Sequence, residues 1–259
     1  MVSQIAPPAA ATPQGPTILA IKALESRFGR KTVHKDLSLD IIKGEVIALL
    51  GGSGSGKSTL LRTLIGLERP ISGSCIFDNQ DLFRLTEEEW KKVRGHIAYA
   101  FQGGALFDSL TVEENLCYPL LEHTNLGPQQ AREQVLQTLA RLGLQGTEHL
   151  LPASLSGGMQ KRVGLARAIM LNPTIILYDE PTAGLDPANS RKIAETILTL
   201  RASGKTSLLV THDTVTALRV ADRVAFIHAG RIAAIQTRAE LLAAPDPMIN
   251  AYLQGEDVT

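Results

Sequence analysis

The sequence predicts an α/β fold with a parallel core sheet, an antiparallel β subdomain ahead of it and an all-helical subdomain set into it at about residues 103–170. Three observations carry that reading. The apolar run Glu45-Val46-Ile47-Ala48-Leu49-Leu50 leads directly into Gly51-Gly52-Ser53-Gly54-Ser55-Gly56-Lys57-Ser58-Thr59, which opens the helix-like Thr59-Leu60-Leu61-Arg62-Thr63-Leu64-Ile65. A second apolar strand, Thr174-Ile175-Ile176-Leu177-Tyr178, ends abruptly in the carboxylates Asp179 and Glu180. Further strands at Ser207–Val210 and Val224–Ile227 are separated by the helical run Ala188–Leu200 and a short helix near Val215–Val220, the alternation that builds parallel sheets.

Residues 1–16 are rich in Ala, Pro and Thr with few groups to bury, and are expected to be a disordered tail preceding one domain at 17–259. Ile18-Leu19-Ala20-Ile21 and Leu37-Ser38-Leu39-Asp40-Ile41 alternate as half-buried strands do, and Phe28-Gly29-Arg30-Lys31 is turn material between them, so an antiparallel pair is expected. Gly73–Phe77 and His96–Phe101 read as strands, and Thr86 opens a helix as a hydroxyl cap with Glu89 three residues on. In the helical middle, Ala131, Val135, Leu136, Leu139 and Leu142 recur at helical spacing from Pro128 onward, and a second helix is expected from about Met159 to Leu171.

Composition narrows the class. The chain has 259 residues with 44% apolar content, enough for a sizeable core, and 26 basic against 26 acidic residues, so no net field argues for nucleic acid. Cys75 and Cys117 are isolated, which predicts neither a disulfide framework nor a structural zinc site. The first residues lack the basic and apolar regions of a signal peptide, and no stretch approaches the ~18 apolar residues of a membrane span. A membrane role would therefore be carried by a partner.

The glycine-rich run fits G-x-x-x-x-G-K-[ST] in the strand-loop-helix context that gives the pattern a mechanism. Gly51, Gly52, Gly54 and Gly56 let the backbone N–H groups wrap a polyphosphate, with Ser53, Ser55 and Thr59 completing the cradle, and the following helix points its free amides at the same anion. Lys57 adds a charge at the β/γ-phosphates, and the Ser58 hydroxyl is a ligand for Mg²⁺. ATP with Mg²⁺ is the expected cofactor pair. At the end of the second strand Asp179 belongs near that metal, while Glu180 can polarise a water for in-line attack.

Between these segments lies Leu155-Ser156-Gly157-Gly158-Met159, followed by Gln160-Lys161-Arg162-Val163-Gly164-Leu165-Ala166-Arg167-Ala168. Physically it is a second anion site: Ser156 as a cap, two glycines for close approach, then a helix N-terminus. This run resembles the signature motif of ATP-binding cassette (ABC) ATPases, a P-loop NTPase family, although it ends in Met159 where most of the family has glutamine. The resemblance extends in order from about Thr17 across nearly the whole chain. It implies that Phe28 stacks on adenine, that Gln102 contacts Mg²⁺ and senses nucleotide, that Asp186 in Ala183-Gly184-Leu185-Asp186 couples the two sites of a dimer, and that His212 contacts the γ-phosphate. It further implies a head-to-tail dimer in which the signature of one copy, Ser156, Gly157 and Gly158, closes over ATP held by the phosphate loop of another. His34, His96, His123, His149 and His228 keep a structural or surface reading.

Phe101-Gln102-Gly103-Gly104-Ala105-Leu106-Phe107-Asp108-Ser109-Leu110-Thr111-Val112, Tyr118–Thr124 and the ending Asp246–Gly255, together with Met159, look like the ATPase subunit of Mla-type phospholipid transporters. That resemblance implies separate membrane permease chains, a lipid-binding protein of the MCE type, transport of phospholipid between inner and outer membranes, and a position on the cytoplasmic face of the inner membrane. The alternative is a cassette ATPase for another cargo, such as lipoprotein, amino acid or metal ion. A non-transport cassette acting on ribosomes or chromosomes fits poorly with one cassette, no heptad array and no basic excess.

Overall fold

The computed structural model describes residues 15–29 and 31–256, with the side chain of Phe28 outside that description. The tail expected at residues 1–16 lies outside it up to residue 14. Pro16 is described, and its carbonyl accepts the amide of Lys43 at 3.0 Å.

Strands β1 (Thr17–Phe28) and β2 (Lys31–Ile42) form the expected antiparallel pair, with Ile21 opposite Leu39. They run longer than the alternation alone marked. After β3 (Val46–Leu50) and α1 (Lys57–Leu64), the chain returns as β4 (Ser72–Phe77) against the other edge of β1, and the two-residue β5 (Gln80–Asp81) completes a four-stranded sheet of order β2-β1-β4-β5. Its inward residues Leu19, Ile21, Leu24, Leu37 and Ile41 are buried and pack on Leu60, Leu61 and Leu64 of α1.

Helix α2 (Glu87–His96) is opened by the Thr86–Glu89 capping box, in which each side chain accepts from the other's backbone. The strand read at His96–Phe101 is the shorter β6 (Ile97–Ala100), because His96 still closes α2. Next come α3 (Val112–His123), α4 (Pro128–Arg141) and α5 (Gly157–Ile169). These helices share a core of their own, in which Val112, Leu116, Leu120, Val135, Leu139 and Val163 are buried together. Helix α3 falls within the all-helical stretch expected at about 103–170, although the residues there do not mark its bounds. Pro119 lies inside it, where the ring removes one ladder hydrogen bond, yet the Thr111–Glu114 capping box and the apolar face of Val112, Leu116 and Leu120 carry the helix through.

The remaining elements are β7 (Ile175–Asp179), α6 (Pro187–Ala202), β8 (Thr206–Val210), α7 (Thr214–Val220), β9 (Arg223–His228), β10 (Arg231–Thr237), α8 (Arg238–Ala243) and α9 (Pro247–Leu253). They complete a six-stranded sheet of order β10-β9-β3-β8-β7-β6. Five strands are parallel, and β10 pairs antiparallel with β9, a hairpin that the short, half-buried sequence of β10 does not announce. Every residue of β3, β7 and β8 is buried, as strands covered on both faces must be. Because the five strands are parallel, the loops after β3, β6, β7 and β8 all leave the sheet at one edge, where ligands of such sheets bind.

The helical core closely approaches the loop after β6, backbone against backbone. A Cβ placed on Gly164 of α5 would lie 2.5 Å from the Cα of Gly104, in the loop that follows Gln102. Neither partner has a side chain to move aside, so Gly164→Ala is expected to destabilise the fold by about 1–3 kcal/mol, the usual range for overpacking. Urea unfolding measures this, and an unchanged midpoint would contradict the close approach of α5 to that loop.

Candidate active site

The loop after β3 is shaped by glycine. Gly51 has φ 153° and a Cβ there would meet the Ile227 carbonyl at 2.5 Å, while Gly56, in the left-handed region, caps α1 without any side-chain bond. The first amides of α1 therefore keep no side-chain partner at their cap, which with the helix dipole favours an anion in front of them. Lys57 is 5% exposed, and its Nζ donates to the carbonyls of Gly51 at 2.8 Å and Gly52 at 3.0 Å. Burial lowers its pKa, with the negative charges of Glu180 and Asp179 acting in the opposite direction.

Across β8 from this loop, the end of β7 supplies the acids. Ser58 Oγ donates to Asp179 Oδ1 at 2.7 Å, and Tyr99 of β6 donates its hydroxyl to Asp179 Oδ2 at 2.6 Å, so both carboxylate oxygens are held. Tyr99 was not singled out from the sequence. It stands three residues before Gln102, near the end of the strand beside β7, and pairing of Ala100 with Tyr178 is what brings it to the acid. Glu180 follows with φ 49°, a left-handed conformation that a non-glycine residue holds at a cost of about 1–3 kcal/mol. Its amide is tied to the Val210 carbonyl at 2.9 Å, and its carboxylate accepts the backbone amide of His212 at 3.1 Å and faces His212 Nε2 at 3.3 Å.

Gly54, Ser55, Lys57, Ser58, Gln102, Glu180 and His212 line one cleft of about 720 Å³. Gln102 is exposed at its mouth. A larger cleft of about 1350 Å³ between α4, α5 and α6 has neither the glycine loop nor a carboxylate pair, so chemistry rather than size identifies the site. The side chain of Phe28 lies outside the described residues.

The signature residues are not among those lining the cleft. Ser156 caps α5 by accepting from the Met159 amide at 3.3 Å. Gly157 is exposed with open space around it, whereas Gly158 is buried, and a Cβ there would lie 2.8 Å from Cγ of Asn189. Asn189 in turn donates to Asp186, whose other oxygen caps α6 through the amides of Ala188 and Asn189, and these hydrogen bonds hold the Asp186 carboxyl below its ordinary pKa. Lys161 donates to the Ala183 carbonyl, joining α5 to the loop that carries Asp186.

His34 has a structural role, as expected, but at the site itself. Fully buried on β2, it makes a 2.6 Å bond between Nδ1 and Ser26 Oγ and places Nε2 3.1 Å from the carbonyl of Gly56. It thus ties the antiparallel sheet to the last glycine of the phosphate loop.

This set of groups is that of a nucleotide-hydrolysing cassette, and the ABC transporter family pattern matches residues 34–183. The chain belongs to the ABC transporter family. It is an ATP-binding subunit and an ATPase. Over 92% of its length it is 38% identical to the "intermembrane phospholipid transport system ATP-binding protein MlaF" of Haemophilus influenzae, of which it covers 91%. It is also 38% identical to the "probable ribonucleotide transport ATP-binding protein mkl" of Mycobacterium leprae, over 93% of this chain and 70% of that one. Among solved structures, a dimeric ATP-binding cassette in a post-hydrolysis state with ADP and Pi superposes with a TM-score of 0.79 at 32% identity, covering 85% of this chain and 98% of that one. The cbiO1 protein of Clostridium perfringens, part of an ABC transporter complex, gives 0.80 at 28% identity over 92% and 95%.

Burial holds the His34 imidazole below its ordinary pKa of 6.5, the hydrogen bond to Gly56 opposing this. The unfolded chain therefore takes up a proton near pH 6.5 that the native chain refuses until lower pH, so native stability falls as pH drops below about 6.5, by at most about 1.4 kcal/mol per pH unit from this group. Comparing urea unfolding at pH 7.5 and 5.5 should show a smaller acid loss in His34→Gln than in wild type. Equal losses would mean that His34 is not the group refusing the proton.

Proposed function

We propose that the chain energises a phospholipid transporter by binding ATP between two copies of itself and hydrolysing it with Glu180 as general base. The observation that carries the catalytic part is the convergence of Lys57, Ser58, Glu180 and His212 on one cleft at the carboxyl edge of the sheet, with Asp179 hydrogen-bonded to Ser58 behind it. In this reading the amides of Gly51–Thr59 and Lys57 bind the phosphates. Glu180 takes a proton from the attacking water, and His212 Nε2 reaches the γ-phosphate from beside Glu180. The strained Glu180 backbone, held by Val210, fixes the carboxylate where a flexible turn would let it swing.

Ser58, Asp179 and Gln102 would hold Mg²⁺. Hydroxyl, carboxylate and amide oxygens are the hard donors that suit it, and Ser58 Oγ already lies 2.7 Å from Asp179 Oδ1. Bound Mg²⁺ would supply neutralisation of phosphate charge, while Tyr99 keeps Asp179 oriented. Phe28 is the proposed adenine platform. Ser156, Gly157 and Gly158 are outside the cleft of their own chain, which supports a role at the cleft of a second copy, with Asp186 at the junction; a similar solved cassette is dimeric.

The phospholipid cargo rests on the relatives named MlaF, which match nearly end to end. No helix among the described residues is long and apolar enough to cross a membrane, so a separate permease on whose cytoplasmic face the chain sits would carry the cargo, with an MCE-type protein as lipid carrier. The test is copurification of the tagged chain from its own membranes, with mass spectrometry of proteins and lipids. A multi-span permease, an MCE-domain protein and phospholipid are expected; a complex with neither of the last two would overturn the cargo.

Glu180→Gln keeps the shape of the carboxylate without its basicity, so ATP binding is expected to persist while turnover falls about 10²–10⁴-fold. A steady-state rate within twofold of wild type would remove Glu180 from this role. Lys57→Ala deletes a charge that faces both bound and reacting phosphate, and titration with MgATP should show lost affinity as well as lost hydrolysis.

A further inference from the structure

Helix α9 (Pro247–Leu253) lies far along the chain from every motif of the site, yet one of its side chains reaches the site. Asp246 caps it through the amides of Met248 and Ile249, and Ile249 is fully buried among Ala48, Leu50, Val224 and Phe226 beneath β3 and β9. That packing sets the Tyr252 ring 5.2 Å from the ring of Phe226, tilted by 58°. From this anchored position the Tyr252 hydroxyl lies 3.0 Å from Nδ1 of His212.

The partners of His212 determine which way that hydrogen bond runs. Nε2 lies 3.3 Å from Glu180 Oε1, outside hydrogen-bond geometry, but a lone pair there would sit against the negative carboxylate, so the neutral imidazole is favoured with its proton on Nε2. Nδ1 is then a bare acceptor, and the phenol must donate to it. Burial raises the Tyr252 pKa, so the hydroxyl keeps its proton at neutral pH.

We propose that Tyr252 is a positioning residue that fixes the tautomer of His212, donating to Nδ1 so that Nε2 retains its proton beside Glu180 and the γ-phosphate. This rests on the reading of Glu180 and His212 as reaction groups. Without the hydroxyl, the ring can place its proton on Nδ1 and turn a lone pair on Nε2 toward Glu180 and the phosphate, two groups it would then repel. A hydroxyl on a C-terminal helix thereby acts on hydrolysis without touching ATP.

Tyr252→Phe removes only the hydroxyl and leaves the stacking on Phe226. In the full-length chain, kcat for ATP should fall about three- to tenfold, the range one neutral hydrogen bond supports, with KM for ATP within twofold of wild type. The tautomer is read directly by ¹⁵N NMR of histidine-labelled protein, with the His212 resonances assigned by their loss in His212→Ala. Wild type should show a bare Nδ1 and a protonated Nε2, and Tyr252→Phe a mixture of both forms. Unchanged kcat in Tyr252→Phe, or a wild-type ring protonated on Nδ1, would overturn the proposal. Failure of the underlying reading is seen separately, as full activity in His212→Ala and Glu180→Gln.

Discussion

Lys57 is an ammonium group taken out of water, and the loop around it is built to make that tolerable. Its Nζ rests on the carbonyls of Gly51 and Gly52, and those carbonyls can turn inward only because the loop follows φ values that residues with a Cβ avoid. The same turning places Gly56 at the start of α1, whose first amides have no side-chain cap. Gly51 must stay bare to pass the Ile227 carbonyl, and Gly56 to pass Val33 and His34. The position of the loop therefore depends on β9 beneath it and on the antiparallel sheet beside it. The buried strands β3, β7 and β8 hold the countercharges, Asp179 and Glu180, in register with the cation.

The proposed second half-site is held in the same chain by a separate set of contacts. Lys161 to Ala183, Gly158 against Asn189, and Asn189 to Asp186 form a continuous path from the signature helix to the loop after Glu180. Gly164 against Gly104 ties that helix to the loop after Gln102. A displacement of α5 would therefore be felt at two edges of the nucleotide cleft. This gives a physical route by which closure over ATP and movement of the helical core could be one event.

Much of this was legible in the sequence because the informative residues are local. Gly51–Thr59, the Asp179-Glu180 strand end and Ser156-Gly157-Gly158 each state their chemistry within a few residues, and each occupies the element expected. What escaped depends on tertiary contact. Tyr99 becomes relevant only through its pairing with β7, His34 only when β2 passes the phosphate loop, and Tyr252 only after α9 docks on Phe226. The stretch around α3 was expected to be helical, but Pro119 hid its bounds, because that residue's local preference is overridden by a buried apolar face. Strand β10 was hidden by a pattern that leaves three of its residues exposed and the rest half-buried.

The central claim is that the site is completed by a second copy through the signature. Gly157 is the best place to test it, since its side-chain direction is open, whereas Gly158 would collide with Asn189 of its own chain. Gly157→Asp adds a carboxylate to the surface that would face the γ-phosphate, without disturbing its own phosphate loop. The measurement is the molar mass by light scattering of Glu180→Gln with MgATP, with and without Gly157→Asp. Glu180→Gln alone is expected to be a dimer, and the double variant a monomer that still binds ATP. A double variant that remains fully dimeric would contradict closure of the site by the partner's signature.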